Sequence, residues 1–394
     1  MTGMIERRAD AAAGPTICIT GLRGVPQVMG GVESHCEELV PRIKALWPEH
    51  HAVVLGRAPY LPEPRTHWRG VEVVGMPCPK SKHLEAVSST LFAVLAARRR
   101  GARLIHIHAI GPALMAPLAW ALGLRVVVTH HGTDYDRAKW GPVAKRALRA
   151  GEWLALRFAH RVIAVSPSLA AQLRERFPRR AEQIAYIPNG APELPDDADV
   201  RLVHERLGIA GPFVLAVGRL VPEKGLHDLI EAFGRSGHPG QLVIVGAADH
   251  ASDYARSLMA KGGARVIFAG VQSRATLRRL YESCTLFAMP SYHEGLPIAA
   301  LEAASCGARM LLSDIAANRD IDLPAEHYFP VGSVAALAAR IADAGAVPHA
   351  DPEHVRRRFS WDRAAAETVQ VYRAALMPRR TEPVGTLTPE VVEP

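Results

Sequence analysis

Short apolar runs alternate along this chain with longer stretches in which apolar residues recur every three or four positions. The runs are rich in Val, Ile and Leu, as in parallel strands buried on both faces, and the longer stretches are typical of amphipathic helices. The runs cover 16–20, 52–55, 71–74, 104–108, 125–129 and 161–165, and then 213–217, 241–245, 265–268, 286–289 and 309–312. Because strand–helix–strand connections are right-handed, this alternation predicts an α/β fold built on doubly wound parallel sheets.

The series of runs restarts after a segment (187–200) that is rich in Pro, Asp and Gly. Such a composition is typical of a linker, and a chain of 394 residues suits two domains of similar size better than one core. We therefore predict a first domain at 1–195 and a second at 196–360. A helix is predicted within 361–378, and the unpatterned residues 379–394 are expected to form a disordered tail.

The composition is that of an ordinary globular protein, with 48% apolar and 22% charged residues. The five cysteines are scattered and form no C-x-x-C pair, which argues against a disulfide framework or a structural zinc site. The N-terminus lacks the apolar stretch of a signal peptide, and the longest apolar region (113–128) is interrupted by Pro117 and Arg125. A cytoplasmic protein is therefore expected.

A net charge of +8 at pH 7 raises the question of an anionic partner. Arginines cluster at 98–103, and basic residues recur between 137 and 161 among Trp140, Leu148, Trp153 and Phe158. Two interpretations stay open, namely a solvated basic face or a surface that meets anionic lipid headgroups at the inner face of the cell membrane. Nucleic acid is not expected as a partner, because no binding module or aromatic platform accompanies the charge.

Candidate chemistry lies in loops that follow predicted strands, where open α/β sheets bind ligands. The loop GRLVPEKG (218–225) follows the strand at 213–217 and carries two cations, Arg219 and Lys224. Together these cations can hold a diphosphate, while Gly218 and Gly225 allow the backbone to come close. Taken alone, such a loop is more often a solvated surface than a binding site, and it lacks the spacing of a P-loop.

A second candidate loop, SYHEGLPI, runs into an alanine-rich helix. Glu294 precedes that helix and Glu302 lies inside it, so the two carboxylates can border one cleft at different depths. Pro297 suits the first turn of a helix, whose free amides attract phosphate. Glu302 is either an ordinary exposed residue or a carboxylate that binds vicinal hydroxyls of a ligand.

Two loops of the first half are weaker candidates. Glycines between 21 and 31 let the backbone approach a ligand, but the G-x-G-x-x-G spacing is absent. The second loop, THHGTD, holds the adjacent pair His130 and His131. Neighbours on an extended segment point to opposite sides, and no further ligand is spaced to help, so we predict no metal site there.

Taken together, these motifs resemble the retaining GT-B-fold glycosyltransferases of family 4, the glycosyl transferases group 1. That family carries a Gly-Arg-x(4)-Lys-Gly loop and an E-x(7)-E pair, which stand here as GRLVPEKG and EGLPIAALE. In the first half, GLRGVPQVMGGVESHCEEL and HGTDYDRAKWG are similar to the subgroup that builds bacterial surface polysaccharides and glycolipids. Asp134 and Tyr135 depart from the Glu/Asp-Trp expected at that point, which leaves the subgroup less secure than the family.

The resemblance implies two Rossmann-like domains that face each other across a cleft, with the last helix crossing back onto the first domain. It implies that Arg219 and Lys224 hold the diphosphate of a nucleotide-sugar donor, that Glu302 binds the ribose and that Glu294 contacts the transferred sugar. The backbone amides near the phosphates would be those of Leu296, Pro297 and Ile298.

The remaining roles that the resemblance implies concern the base, the diphosphate and the sugar. Gly270 and Val271 would meet the nucleobase through their backbone, and Gly30 and Gly31 would approach the diphosphate. His131 would contact the donor sugar near the reacting carbon. The expected reaction is retaining, needs no metal or other cofactor, and delivers the sugar to a saccharide or lipid-linked acceptor.

Two rival functions are considered beside this one. A nicotinamide-dependent oxidoreductase with paired Rossmann domains would need a G-x-G-x-x-G fingerprint, which is missing from both halves, and would give Arg219 and Lys224 no role. A catalytically silent sugar-binding protein would keep the fold without turnover. Release of nucleoside diphosphate from a donor panel separates the three functions.

Overall fold

The computed structural model describes residues 14–79, 85–136, 141–248 and 252–377. In this part of the chain the strands form two sheets. The first sheet contains β1 (Thr16–Thr20), β2 (His51–Arg57), β3 (Arg65–Trp68), β4 (Val71–Met76), β5 (Leu104–His108), β6 (Arg125–His130), β7 (Arg161–Ala164) and β8 (Ile184–Tyr186). Their order is β3-β4-β2-β1-β5-β6-β7-β8, and all neighbours are parallel except the antiparallel pair β3–β4.

The second sheet is parallel throughout. It contains β9 (Phe213–Val217), β10 (Gln241–Val245), β11 (Val266–Gly270), β12 (Leu286–Met289), β13 (Met310–Ser313) and β14 (Tyr328–Phe329), in the order β11-β10-β9-β12-β13-β14. Both orders reverse direction beside the first strand of their sheet, as doubly wound sheets do. The predicted α/β fold with two doubly wound sheets is confirmed.

Helices pack on both faces of the sheets and bury the Val- and Ile-rich strands between them. Those that lie between strands of the first sheet are α1 (Gly31–Leu46), α2 (Glu85–Arg99), α3 (Ala116–Ala121), α4 (Pro142–Phe158) and α5 (Pro167–Arg176). The later ones are α6 (Val200–Leu207), α7 (Leu226–Ser236), α8 (Asp253–Lys261), α9 (Arg274–Ser283), α10 (Ile298–Ser305), α11 (Ala316–Arg319), α12 (Val334–Ala342), α13 (Pro352–Arg358) and α14 (Trp361–Leu376).

The final helix, α14, follows the second sheet in sequence but packs against α1, a helix that covers the first sheet. Its apolar face, which includes Trp361, Val369 and Tyr372, is buried with residues of β1 and α1. This packing joins the end of the chain to the first half. The tail predicted at 379–394 lies outside the described residues.

None of the helices in the described part of the chain combines the length and the apolar character that crossing a membrane requires.

Candidate active site

The loops that follow β6 and β12 touch each other where the carboxyl ends of the two sheets meet. A Cβ atom added to Gly132 would lie 3.1 Å from Cα of Gly295, and one added to Gly295 would lie 1.9 Å from the carbonyl oxygen of His131. Glycine at both positions therefore lets the two backbones come into contact without side chains between them. The predicted residues His131 and Glu294 are brought to one place by this contact.

Asn189, in the connection between the two sheets, fixes the same junction. Its side-chain amide donates a hydrogen bond from Nδ2 to the carbonyl oxygen of Leu296 (2.7 Å), and its Oδ1 lies 2.8 Å from Nδ1 of His35. Asn189 is buried, so these bonds are shielded from competing water. Sequence reasoning missed this residue, which lies inside the segment predicted to be a linker.

Lys224 and Glu294 form an ion pair across two neighbouring loops. Lys224 follows β9, Glu294 follows β12, and Nζ of the lysine donates to Oε1 of the glutamate at 2.6 Å. The side chains are only 19% and 10% exposed, so the pair is partly withdrawn from solvent. Gly225, at φ 63°, closes the lysine loop against the carbonyl oxygen of Pro290. Arg219 is half-buried in the same loop. The two predicted motifs therefore share one site.

Glu302 lies on α10 and accepts a hydrogen bond from the hydroxyl of Tyr281 (2.9 Å). Burial raises the pKa of the Glu302 carboxyl to about 7, although the Tyr281 hydrogen bond and the charge of Arg274 both act to lower it. Arg274 also forms an ion pair with Glu38 of α1. Glu302 thus stands beside a contact between the two halves and changes protonation near neutral pH.

The residues predicted to meet phosphates and base lie at the starts and ends of elements. Pro297, expected in the first turn of its helix, is instead the residue before α10, and Ile298 begins the helix. Leu296 is buried. Gly270 ends β11 in the left-handed region (φ 65°), and the side chain of Val271 is exposed. In the order β11-β10-β9-β12, Gly270 ends β11, whereas the loops of Lys224 and Glu294 follow β9 and β12. Gly270 is therefore one strand away from the Lys224 loop and lies on the side opposite to the Glu294 loop.

Gly30 and Gly31 mark the start of α1, after β1. A Cβ atom on Gly30 would lie 1.9 Å from Oε2 of Glu33, whereas one on Gly31 would meet no atom within 4 Å. The backbone of Gly30, at φ 152°, is strained for a residue with a side chain and explains glycine there, whereas position 31 faces open space. The Glu33 carboxylate also accepts a hydrogen bond from the backbone amide of Arg23 (2.8 Å).

His130 and His131, neighbours in sequence, have different partners. Nε2 of His130 lies 3.1 Å from Oε1 of the buried Glu152, and its Nδ1 accepts a hydrogen bond from the amide of Gly132. Nε2 of His131 lies 3.1 Å from Nδ1 of His108. His130 therefore anchors the loop, and His131 joins a group of histidines.

Glu152, on α4, is the centre of a buried polar network. Its carboxylate accepts a hydrogen bond from the Tyr135 hydroxyl (3.0 Å) and forms an ion pair with Arg176 (2.7 Å). Burial by itself would raise the pKa of Glu152, but His130, Arg176 and Tyr135 together outweigh it and hold this pKa below its ordinary value. Tyr135, noted in the sequence as a departure from the family pattern, is thus part of the structure that supports the loop.

Two family models match this chain, and together they span most of it. The model described as glycosyl transferase 4-like domain matches residues 30–190, and the model described as glycosyl transferases group 1 matches residues 204–356. The second model contains Arg219, Lys224, Glu294 and Glu302.

Two relatives similar in sequence to this chain are also glycosyltransferases or glycogen synthases by their descriptions. An uncharacterized glycosyltransferase of Methanocaldococcus jannaschii is 30% identical over 253 residues, which is 59% of this chain and 64% of the relative. The chain thus covers slightly less than two thirds of that relative's length. A glycogen synthase of Mycobacterium tuberculosis is 28% identical over 393 residues, with 89% of this chain and 92% of the relative covered.

Solved structures of similar fold include a sucrose-phosphate synthase from Thermosynechococcus elongatus, with a TM-score of 0.73 at 22% identity, covering 91% of this chain and 98% of that one. HepE of Anabaena, solved with UDP-glucose, has a TM-score of 0.70 at 18% identity and covers 92% of this chain and all of its own. These neighbours share the GT-B arrangement, so the predicted GT-B fold is confirmed.

Proposed function

This chain belongs to the glycosyl transferases of group 1, and we propose that it moves a sugar from a nucleoside diphosphate sugar to a hydroxyl of a saccharide or lipid-linked acceptor. In this proposal residues 196–360 bind the donor and residues 1–195 receive the acceptor. The observation that carries it is the partly buried Lys224–Glu294 pair beside Arg219, at the point where the loops of the two sheets meet. HepE, which has the same fold, was solved with UDP-glucose.

The ion pair supports an anionic donor for an electrostatic reason. Glu294 neutralises Lys224 at 2.6 Å in the free protein, so the charge of this lysine is compensated before a donor binds. A diphosphate offers Lys224 and Arg219 a stronger partner, and Glu294 is then released to accept hydrogen bonds from sugar hydroxyls. The segment Leu296, Pro297 and Ile298 leads into α10 and lies near the proposed phosphate position. Pro297 has no N–H, so the backbone donors of this segment are the amides of Leu296 and Ile298.

The other proposed contacts divide between the two halves of the chain. Glu302 holds the ribose hydroxyls, and the backbone at Gly270 and Val271 faces the base. In the first half, Gly31 offers open space for the diphosphate, Gly30 shapes the turn before it, and His131 contacts the sugar. The carboxylate of Glu33 occupies the start of α1 and would repel a diphosphate there. Arg219 and Lys224 of the second half therefore neutralise most of the negative charge of the diphosphate.

We propose retention by a same-face route without a metal. The bond between the anomeric carbon and the donor phosphate breaks, the acceptor oxygen bonds to that carbon on the same face, and the acceptor proton passes to the departing phosphate oxygen. Arg219 and Lys224 stabilise the charge that develops on this phosphate. A double displacement would require a nucleophilic carboxylate beneath the anomeric carbon, and a fluorosugar donor would then label Glu294 covalently.

A donor panel tests the proposed function. A thermal-shift screen with nucleoside diphosphates and their sugars should identify the donor, because a ligand at 100 times its Kd stabilises the folded chain by about 2.7 kcal/mol. When the protein is incubated in excess EDTA with that donor and with fractionated saccharides or lipid-linked saccharides as acceptors, it should release nucleoside diphosphate. Binding without release for any donor would favour the silent sugar-binding protein, and hydride transfer would favour the oxidoreductase.

The raised pKa of Glu302 predicts a pH dependence of donor affinity. Only the carboxylate accepts hydrogen bonds from two ribose hydroxyls, and with a pKa of about 7 the ionised fraction falls about tenfold between pH 8 and pH 6. We expect the Kd of a nucleotide sugar, whose phosphates do not titrate in this range, to rise about tenfold over the same interval in calorimetric titrations.

The matched variants make this pH test specific. Glu302→Gln should bind more weakly at pH 8 and show a flat profile, whereas Glu231→Gln, at an exposed site on α7, should keep the wild-type profile. Affinity that is unchanged or improves at pH 6 in the wild-type chain would contradict the role of Glu302.

We also propose peripheral contact with an anionic membrane surface at the inner face of the cell membrane. On α4, Arg146, Arg149, Trp153 and Arg157 recur at intervals of three or four residues and are all exposed. Leu148 of the same helix is buried and does not belong to this surface, and Trp140 lies outside the described residues. One face of the helix therefore presents three cations and an aromatic ring that suits the headgroup region. A lipid-linked acceptor would be reached from such a position.

Liposome flotation tests the proposed membrane contact. Each basic residue near an anionic surface contributes about 1 kcal/mol, so reversing one charge with Arg146→Glu should weaken binding roughly 10- to 30-fold. Arg201→Glu, at an exposed arginine of α6, should leave binding unchanged. Equal flotation with neutral and anionic vesicles would rule the contact out.

A further inference from the structure

Histidines from three separate segments converge beneath the loop that follows β6. His35 comes from α1, His108 ends β5, and His131 belongs to the loop itself. The ring centroids of His35 and His131 are 4.7 Å apart, and those of His108 and His131 are 5.4 Å apart. His35 and His108 are buried and His131 is half-buried, so the cluster opens to solvent on the side of His131.

The hydrogen bonds of His35 fix which of its nitrogens can act as a ligand. Nδ2 of Asn189 donates to the carbonyl oxygen of Leu296, so Oδ1 of Asn189 is the atom that faces His35. An amide oxygen only accepts, and Nδ1 of His35 therefore carries the ring proton. This leaves a lone pair on Nε2, which is buried and has no hydrogen-bond partner among the described residues.

His108 and His131 supply two further nitrogens. Nδ1 of His108 and Nε2 of His131 lie 3.1 Å apart, and Nε2 of His108 is buried without a hydrogen-bond partner in the described part of the chain. One nitrogen from each of the three histidines can be chosen so that all lie within 4.8 Å of one another. Buried polar nitrogens are rarely left unsatisfied, so the lone pair on Nε2 of His35, which has no hydrogen-bond partner among the described residues, indicates a ligand beyond the protein atoms.

We propose that His35, His108 and His131 bind one divalent transition-metal ion of the zinc class. Two nitrogen ligands of a tetrahedral zinc ion with Zn–N distances of about 2.0–2.1 Å are about 3.3 Å apart, close to the separation of the His108 and His131 nitrogens. The third nitrogen, on His35, lies within 4.8 Å of the other two and would move closer to them when the ion binds. The Asn189 oxygen on Nδ1 of His35 is the kind of outer contact that orients a metal-binding histidine.

The surroundings favour neutral imidazole, the form that binds metal. Burial lowers the pKa of His35 to about 4, against the hydrogen bond to Asn189, and burial together with the neighbouring histidines holds the pKa of His108 well below its ordinary value. Three protein nitrogens leave a fourth position for water or a ligand, as in open zinc sites. Sequence spacing concealed this cluster because its members lie 73 and 23 positions apart along the chain.

Zinc at this site would compete with the sugar donor, an inference that rests on the proposed contact between His131 and the donor sugar. The metal and the sugar would need the same imidazole, so each would weaken the binding of the other by the same factor. A nucleoside diphosphate without its sugar would not need His131, and its affinity would be unaffected. The transfer reaction itself remains one without a metal.

Zinc binding by the full chain can be measured by competition with a chromophoric chelator. We expect one tight zinc per chain, with affinity unchanged in His67→Asn, which alters an exposed histidine of β3. Because loss of an outer contact alone costs about 10- to 100-fold, loss of a ligand in His35→Asn or in His108→Asn should weaken zinc binding by at least that factor. Circular dichroism melts check that each variant is folded. Equal zinc affinity in the wild-type chain and in folded cluster variants would overturn the site.

Cobalt provides a test that needs no variant. The wild-type chain with one equivalent of Co²⁺ should show visible absorption bands of a four- or five-coordinate site, which excess Zn²⁺ abolishes. Absence of these bands would overturn the site even if the variants fail to fold. If zinc binds but leaves nucleotide-sugar affinity unchanged, the site stands and the proposed contact of His131 with the sugar is contradicted.

Discussion

Replacing Lys224 with alanine should lower kcat/KM for the sugar donor by about 10²–10³-fold. This is the range seen when one preorganised donor to a developing negative charge is removed from an active site. In the free protein Lys224 is held by Glu294 at 2.6 Å, in a loop closed by Gly225, so it is positioned before the donor arrives. Steady-state kinetics on the donor identified by the panel gives the effect.

How the effect of Lys224→Ala divides between kcat and the affinity for nucleoside diphosphate identifies the role of the lysine. If the lysine stabilises the departing phosphate, kcat should fall more than the affinity for nucleoside diphosphate. Because the variant leaves Glu294 without its cation, its melting temperature must be measured beside the kinetics. Lys261→Ala, at an exposed lysine that ends α8, is the matched control and should behave as wild type. Unchanged kcat/KM in Lys224→Ala would remove the lysine from the reaction.

Glu152→Ala should destabilise the protein by about 3–5 kcal/mol, because it leaves buried partners of a charge network unpaired. The carboxylate is fully buried and satisfies His130, Tyr135 and Arg176 at once. Urea-induced unfolding followed by tryptophan fluorescence measures the loss. Glu205→Ala, which breaks an exposed pair with Arg201, should change stability by less than about 1 kcal/mol.

The same network should affect catalysis through the loop that it supports. His130 is held by Glu152 and accepts a hydrogen bond from Gly132, the residue that contacts the loop of Glu294. Glu152→Gln keeps most of the shape and should retain more stability than Glu152→Ala. A Glu152→Ala protein as stable as Glu205→Ala would show that the buried network contributes nothing.

Sequence periodicity predicted most of the fold because both sheets bury continuous apolar strands. The run at 16–20 coincides with β1, and the runs at 213–217 and 241–245 coincide with β9 and β10. The strand β3 was missed, since its four residues, RTHW, form a polar, antiparallel edge. Two-residue β14 is too short to leave a periodic signal.

The candidate site was only partly predictable. Strand ends pointed to Arg219, Lys224, Glu294 and Glu302, because parallel strands collect their loops at one edge. The ion pair between two of these residues required the strand order, which places β9 beside β12. The histidine cluster required the docking of α1 against the first sheet, although the alternation in LIHIH does place His106 and His108 on one face of β5.

The proposed reaction transfers a sugar with retention and without a metal. The most direct measurement is a proton NMR time course of wild-type protein with donor and acceptor in EDTA, read at the anomeric signals. We predict a new glycosidic signal with the donor's own anomeric configuration, which grows at the rate of nucleoside diphosphate release. A product of inverted configuration, or nucleotide release that stops in EDTA, would contradict the proposed reaction.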